Sequence, residues 1–506
     1  MVMEGGSSEE LLEGDVLDNL PRRSVRGGAA VLIAQGGVLV LGLVSAAVLA
    51  RLLSPDDYGL IGMAAAFIAF ITNFADLGLP LATVQRERIS DAQLSSLFWI
   101  NVLVGCLTFL LGILLAWPVA WFYDKPALVP VVMGLAIPFI FTGLGAQQEA
   151  LLRRRMQFTH LSVISILSNL VGIVLAIVSA LYGAEYWSLV ILALGTAVSK
   201  CLMFWIVSPW RPSPPRLAEG LRPIIRFGAY ITGTNLLATL VRNVDKILIG
   251  RLVSVDAVGY YMNASRLLVM PIAQLNMPLT SVAVPTLSRL QNDPERYRGF
   301  YRRGVEGISS MTVPAVLFFL ISADFVVPAV LGDQWLPSIP IFKALAPAAL
   351  LAGVNVVTSW VFVPLGHSGR QFRWHVFRSI VVLIAYAIGV NWGAIGVAVS
   401  FSASTILLRI PGVLWCIKGT CIRFKDVIES IWRAFTAGGI ASVVGVLVAS
   451  SFDPAVERFL PIPIILGCFA VAYAICWILL PGGWGRMRVI RSTLAHLIPG
   501  RGTPEG

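Results

Sequence analysis

Charge is scarce in this sequence. Asp, Glu, Lys and Arg make up 13% of its 506 residues, against about 25% in soluble domains, and mean hydropathy is +0.81. A water-soluble fold is excluded, and a polytopic membrane protein remains. Histidine is also scarce, with four dispersed residues. The six cysteines (Cys106, Cys201, Cys416, Cys421, Cys468, Cys476) lie mostly inside apolar runs, without disulfide or metal-ligand spacing. There is no nucleotide-binding loop, no metal-ligand cluster, no nucleophile beside a plausible base, and no loop long enough for a soluble catalytic domain. These absences point away from an enzyme and leave no resident cofactor to expect.

What the sequence has instead is a succession of long apolar runs. Windows of about 20 residues predict spans at 28–50, 58–80, 95–122, 127–150, 158–182, 184–208, 226–250, 256–286, 302–332, 336–366, 372–391, 393–417, 430–450 and 460–481. The fold class is therefore an all-α polytopic membrane protein of about fourteen transmembrane helices. Only Asn391, Trp392 and Gly393 separate the eleventh and twelfth spans, and Pro271, Pro278 and Pro285 are expected to break or bend the eighth. The first apolar run is too long for a signal-peptide core, so residues 1–21 read as a mobile polar tail rather than a cleaved leader.

Lys and Arg test this segmentation, because a miscounted span would scramble their alternation. With it, 28 basic residues fall on the side of the termini and only Arg51, Lys125, Arg251 and Arg458 on the other. Both termini are expected in the cytoplasm. The net charge of +11 is then accounted for without nucleic acid.

An internal repeat sets the architecture. Arg51-Leu-Leu-Ser54-Pro-Asp56-Asp-Tyr-Gly59 matches Arg251-Leu-Val-Ser254-Val-Asp256-Ala-Val-Gly259 at an offset of 200 residues, which also places Arg26, Gly28 and Ala29 on Arg226, Gly228 and Ala229. Six spans separate the copies, so two six-helix lobes face the same way, related by a pseudo-two-fold along the membrane normal. The expected domains are an N-lobe at 22–208, a cytoplasmic linker at 209–225, a C-lobe at 226–417, two further helices within 418–481 and a basic cytoplasmic tail at 482–506.

Ionisable residues inside a span cost roughly 2.5–3.5 kcal/mol on insertion scales, and they mark pathways. Depth separates them. At 1.5 Å per residue, Lys200, Lys343 and Arg409 lie roughly 10–12 Å from a span end and can snorkel, whereas Arg266 lies roughly 15 Å deep. On the seventh span Asn235, Arg242 and Lys246 fall within about 40° of one another, with Asp245 about 60° to one side. Asp245 can neutralise one neighbour, most naturally Arg242 at i,i+3. The surplus of arginine suits an anionic head group, and the alternative is an ion-pair network drawing on acids elsewhere, such as Asp324. Asp76 reads as a cap or an Arg86 partner near a gate. Glu149 pairs with Arg153 at i,i+4 beside a basic anchor that offers a head-group contact.

Several stretches carry a family likeness. They are Ala50-Arg-Leu-Leu-Ser-Pro-Asp-Asp-Tyr-Gly59, Asp76-Leu-Gly-Leu79 with Val84-Gln85, Glu149-Ala-Leu-Leu-Arg-Arg-Arg-Met-Gln-Phe158, Asn243-Val-Asp-Lys-Ile-Leu-Ile-Gly-Arg251, Gly259-Tyr-Tyr and Val284-Pro-Thr-Leu-Ser288. In that order the chain resembles the polysaccharide flippases of the Wzx and colanic-acid-exporter type, in the multidrug/oligosaccharidyl-lipid/polysaccharide flippase superfamily. The resemblance implies two lobes around a cationic cavity in a bacterial inner membrane. It also implies alternating-access transfer of undecaprenyl-pyrophosphate-linked oligosaccharide to the periplasmic leaflet for surface polysaccharide or exopolysaccharide. Arg242 and Arg266 would engage the pyrophosphate. Asp245, with Asn235, is a candidate for Na+ or H+ coupling or for a salt bridge, and Asp76, Glu149, Arg153 and Lys246 for gate or head-group contacts. Membrane lipids, a polysaccharide polymerase and a co-polymerase would be partners. Two other functions are weighed: a cation-coupled multidrug exporter, against which stands a first span without Asp or Glu, and a membrane polymerase or ligase, against which stand the short outer loops.

Overall fold

The computed structural model describes residues 20–75, 80, 83, 89–214, 239, 242–454 and 456–481. Asp76, Asn235, the tail at 1–19, most of the linker and the C-terminal tail lie outside the described residues. Those described form helices joined by short turns, with no strand among them. Nine helical stretches among them are long and apolar enough to cross a membrane. Contacts divide the chain into two units, Met1–Gly259 and Tyr260–Gly506.

In the first unit α1 (Leu20–Leu52), α2 (Pro55–Ala75), α3 (Asp91–Tyr123), α4 (Leu128–Ala136), α5 (Pro138–Arg154), α6 (Phe158–Leu181) and α7 (Trp187–Val207) are followed by a helix over 242–252, α8. Local chemistry sets the ends. Ser90 and Gln93 form a capping box that starts α3, and Asp124 in the left-handed region ends it. Between α4 and α5, Pro138 lacks an N–H and crowds the Gly134 carbonyl, so one expected span becomes two helices. Helices in lipid gain little from apolar burial against each other and associate by close packing. Thus α3 lies against α5 backbone to backbone: a Cβ on Gly105 would meet Phe139 O at 2.7 Å, and one on Gly143 would meet Asn101 O at 2.6 Å.

The repeat copies meet in this unit. A Cβ on Gly59 would lie 2.0 Å from Val255 O, and a Cβ on Gly259 would lie 2.1 Å from Pro55 O. Pro55 and Val255, like Gly59 and Gly259, are equivalent positions of the repeat, so the contact is reciprocal. Gly250 packs on Tyr123 and Met63, and the Arg251 guanidinium lies 6.0 Å from the Phe122 ring.

The second unit contains α9 (Val255–Arg289) from Tyr260 onward, its first five residues belonging to the first unit, and α10 (Pro294–Ile321), α11 (Ala323–Leu331), α12 (Ser338–Leu350), α13 (Ala352–Phe362), α14 (Ser368–Gly389), α15 (Gly393–Leu407), α16 (Arg409–Ile417), α17 (Phe424–Ala449) and α18 (Pro461–Leu479). Although breaks or bends are expected at its prolines, α9 is assigned as one helix through all three. Prolines are tolerated in membrane helices where neighbours and local adjustment satisfy the freed carbonyls. The eleventh and twelfth spans separate at a 3-10 turn, Val390–Trp392, and at Gly393, whose φ of 71° is open to glycine. The helix breaks again at Leu408, one turn before Pro411. A core of Tyr297, Tyr301, Trp360, Phe362, Val413 and Val427 ties α10, α13, α16 and α17 together, with Tyr297 Oη donating to Trp360 O at 2.8 Å.

Candidate functional site

In the first unit the seventh-span charges begin with Arg242 on α8. Arg242 is exposed, and its Nη2 donates to Thr239 Oγ1 at 2.9 Å; Thr239 Oγ1 donates to Asn73 Oδ1 of α2 at 3.3 Å. The partner expected from spacing was Asp245, but the Asp245 Oδ1 accepts the Lys246 backbone N–H at 2.8 Å. Asn243 and Asp245 are each 8% exposed. Asn243 Nδ2 donates to Thr239 O at 2.9 Å, and Lys246 Nζ donates to Asn243 Oδ1 at 3.1 Å. Both cations of this face are thus held by neutral oxygens, and the local charge stays positive. Thr239 and Asn73 escaped the sequence reading. The i−3 and i−4 spacing of Thr239 from Arg242 and Asn243 was the available signal.

Two of the three cations shallow enough to snorkel have carboxylate partners on other helices. Lys200 Nζ of α7 lies 3.2 Å from Glu149 Oε2 of α5, whose other oxygen takes Arg153 Nη2 at 2.6 Å. Arg154 Nη1 donates to Thr83 O at 2.9 Å. In the second unit Lys343 Nζ of α12 pairs with Asp324 of α11 at 2.8 Å. Asp324 is therefore engaged locally. Arg266 lies on α9 in the second unit, half-buried, while Arg242 lies in the first.

A further network was invisible in the sequence. Asp426, 0% exposed, accepts Arg298 Nε at 2.6 Å and the Arg423 backbone N–H at 2.8 Å, with Arg302 Nη1 at 3.6 Å. Arg302 Nη2 reaches Glu429 at 2.6 Å. Farther along the same helices, Arg433 Nη1 meets Glu306 Oε1 at 3.1 Å while its Nε and Nη2 donate to Pro481 O. These contacts fasten α17 to α10.

Residues 48–340 match the family described as polysaccharide biosynthesis protein. The chain belongs to that family. Among its relatives, the lipopolysaccharide biosynthesis protein WzxC of Escherichia coli is 27% identical over 425 residues, covering 82% of this chain and 86% of the relative. The succinoglycan biosynthesis transport protein ExoT of Rhizobium meliloti is 24% identical over 418 residues, covering 80% and 83%. In fold, the chain is similar to the lipid II flippase MurJ in an inward closed conformation, with a TM-score of 0.70 at 16% identity over 88% of this chain and 97% of that one. Family, relatives and fold together make this a multi-span membrane transport protein of polysaccharide biosynthesis, not an enzyme.

Proposed function

We propose that this transporter is a flippase for undecaprenyl-pyrophosphate-linked oligosaccharide, moving it from the cytoplasmic to the periplasmic leaflet by alternating access between lobes at 22–208 and 226–417. The observation that carries the reading is Arg242. It is an exposed guanidinium on α8, donating to the Thr239 hydroxyl at 2.9 Å, on a face whose other cation, Lys246, also has a neutral partner. Such a group retains donors for phosphoryl oxygens, which guanidinium binds in bidentate fashion. Arg266 is the second contact on this reading. Asp245 and Asn235 modulate the site or take the coupling ion, and Asp76, Glu149, Arg153 and Lys246 serve gating. The relatives' names support a polysaccharide pathway, with a polymerase downstream as the partner. The 28-to-4 distribution of Lys and Arg supports an inner-membrane orientation with cytoplasmic termini.

Deleting the gene tests this directly. Lipid-linked repeat units are expected to accumulate on the cytoplasmic leaflet while surface polysaccharide disappears. Normal export of every polysaccharide would overturn the proposal. So would raised tolerance to cationic drugs on overexpression without any effect on polysaccharide, which is the multidrug exporter's signature.

A further inference from the structure

The second unit contains a polar cavity that the transport reading does not use. It lies among α13, α14, α15 and α16, opens to the outside, and is lined by Thr358, Trp374, Arg378, Thr405, Arg409 and apolar neighbours. Among the described residues no carboxylate is part of the lining. Trp374 and Arg378 are one turn apart on α14, and Thr405 and Arg409 stand four residues apart across the Leu408 break, so two helix faces present one arginine each. The Trp374 indole lies directly on the α16 backbone, where a Cβ on Gly412 would come within 2.7 Å of its Cζ2.

Thr405 supplies an independent observation. Its side chain is 3% exposed and its Oγ1 has no hydrogen-bond partner. A threonine hydroxyl within a helix ordinarily bonds back to the i−4 carbonyl. That carbonyl, Phe401 O, already accepts Ser404 Oγ at 2.9 Å. A buried hydroxyl without a partner is unfavourable, and Thr405 lines the same space as the two guanidiniums.

Depth and surroundings say what kind of anion fits. Arg378 is ten residues from the start of α14, roughly 15 Å, and Arg409 eight residues from the end of α16, roughly 12 Å. Both distances run to the end of the bundle that carries Arg370, Arg373 and Lys418. The Arg378 Cα–Cβ bond leans toward that end, and long arginine side chains reach further. Around the cavity, Phe377, Ile380, Ile406, Leu407, Ile410 and Leu414 are exposed apolar side chains. An acyl chain can lie along them, which a free anion would not require.

We propose that this cavity binds the phosphate of an anionic phospholipid. Arg378 and Arg409 donate to its phosphoryl oxygens, Thr405 Oγ1 supplies a third hydrogen bond, and the acyl chains follow the apolar flanks of α14 to α16. A zwitterionic lipid is disfavoured because nothing acidic in the lining receives its ammonium group.

Native mass spectrometry of the purified full chain tests this, with phosphatidylglycerol, phosphatidylcholine and inorganic phosphate as probes. Phosphatidylglycerol is expected to be retained at least fivefold better than phosphatidylcholine. Arg378→Gln with Arg409→Gln should weaken that retention tenfold or more, Arg378→Lys with Arg409→Lys less, and Thr405→Val two- to threefold. Equal retention of both lipids would overturn the proposal, as would an unchanged double glutamine variant. Should that variant fail to fold, an unchanged Thr405→Val overturns it instead. Occupancy by inorganic phosphate in place of phosphatidylglycerol would assign the site to a soluble anion and refute the lipid. The readout is lipid retention, so it stands or falls separately from the transported substrate.

Discussion

Arg242 differs in its partner from three other membrane-depth cations. Lys200 has Glu149, Lys343 has Asp324 and Arg433 has Glu306, whereas Arg242 donates to a threonine hydroxyl. Removing one of those three breaks an ion pair; removing Arg242 leaves behind only a neutral oxygen. Arg242→Ala should therefore lower export at least tenfold with normal membrane levels, measured as surface polysaccharide against immunoblot. Arg242→Lys should recover part of it, because an ammonium group keeps the charge but not the fork. Lys246→Ala should stay within about threefold of wild type. The sequence exposed these charges and their depth. It could not expose their partners, since depth arithmetic treats each helix alone while Lys200 and Glu149 are 51 residues apart on different helices. Thr239 was passed over because a single threonine in an apolar run carries no charge to flag it.

Among the helices, breaks were legible where backbone chemistry is local. Gly393 and Pro138 act through their own φ or missing N–H, and the chain turns or breaks beside each. The prolines of α9 do not break the helix, because a proline's effect inside a membrane helix depends on neighbours that spacing does not reveal. The repeat was legible as text, but its physical role was not: Gly59 and Gly259 place α2 and α9 in backbone contact. Gly59→Ala and Gly259→Ala each put a methyl group where a carbonyl oxygen stands, at 2.0 and 2.1 Å, so the helix ends must part. Each variant should lose most export while still reaching the membrane. Because one seam is opened either way, the double variant should be no worse than the more severe single one. Additive losses in the export assay would argue that the two glycines act independently.

For the whole molecule, the alternation of basic loops predicts an orientation that reporters can read. A fluorescent protein fused at the C-terminus should fluoresce, and alkaline phosphatase fused after Asp453 should be active; the reverse pattern would invert the topology. Two helices beyond the repeat were legible as apolar runs, but their attachment was not, because no sequence rule links residues 127 positions apart. Arg433 and Glu306 are both largely buried. Arg433→Met should destabilise the purified protein by about 3–5 kcal/mol by breaking this buried pair, and adding Glu306→Met should restore most of the loss. Thermal unfolding in detergent measures both.

That ion pair also imposes a schedule on biosynthesis. Glu306 leaves the ribosome 127 residues ahead of Arg433, which at about 5–20 residues per second is a wait of roughly 6–25 s. During that interval Glu306 of α10 lacks its Arg433 partner. A chain stopped short of α17 therefore never forms the ion pair that ties the last helices to α10.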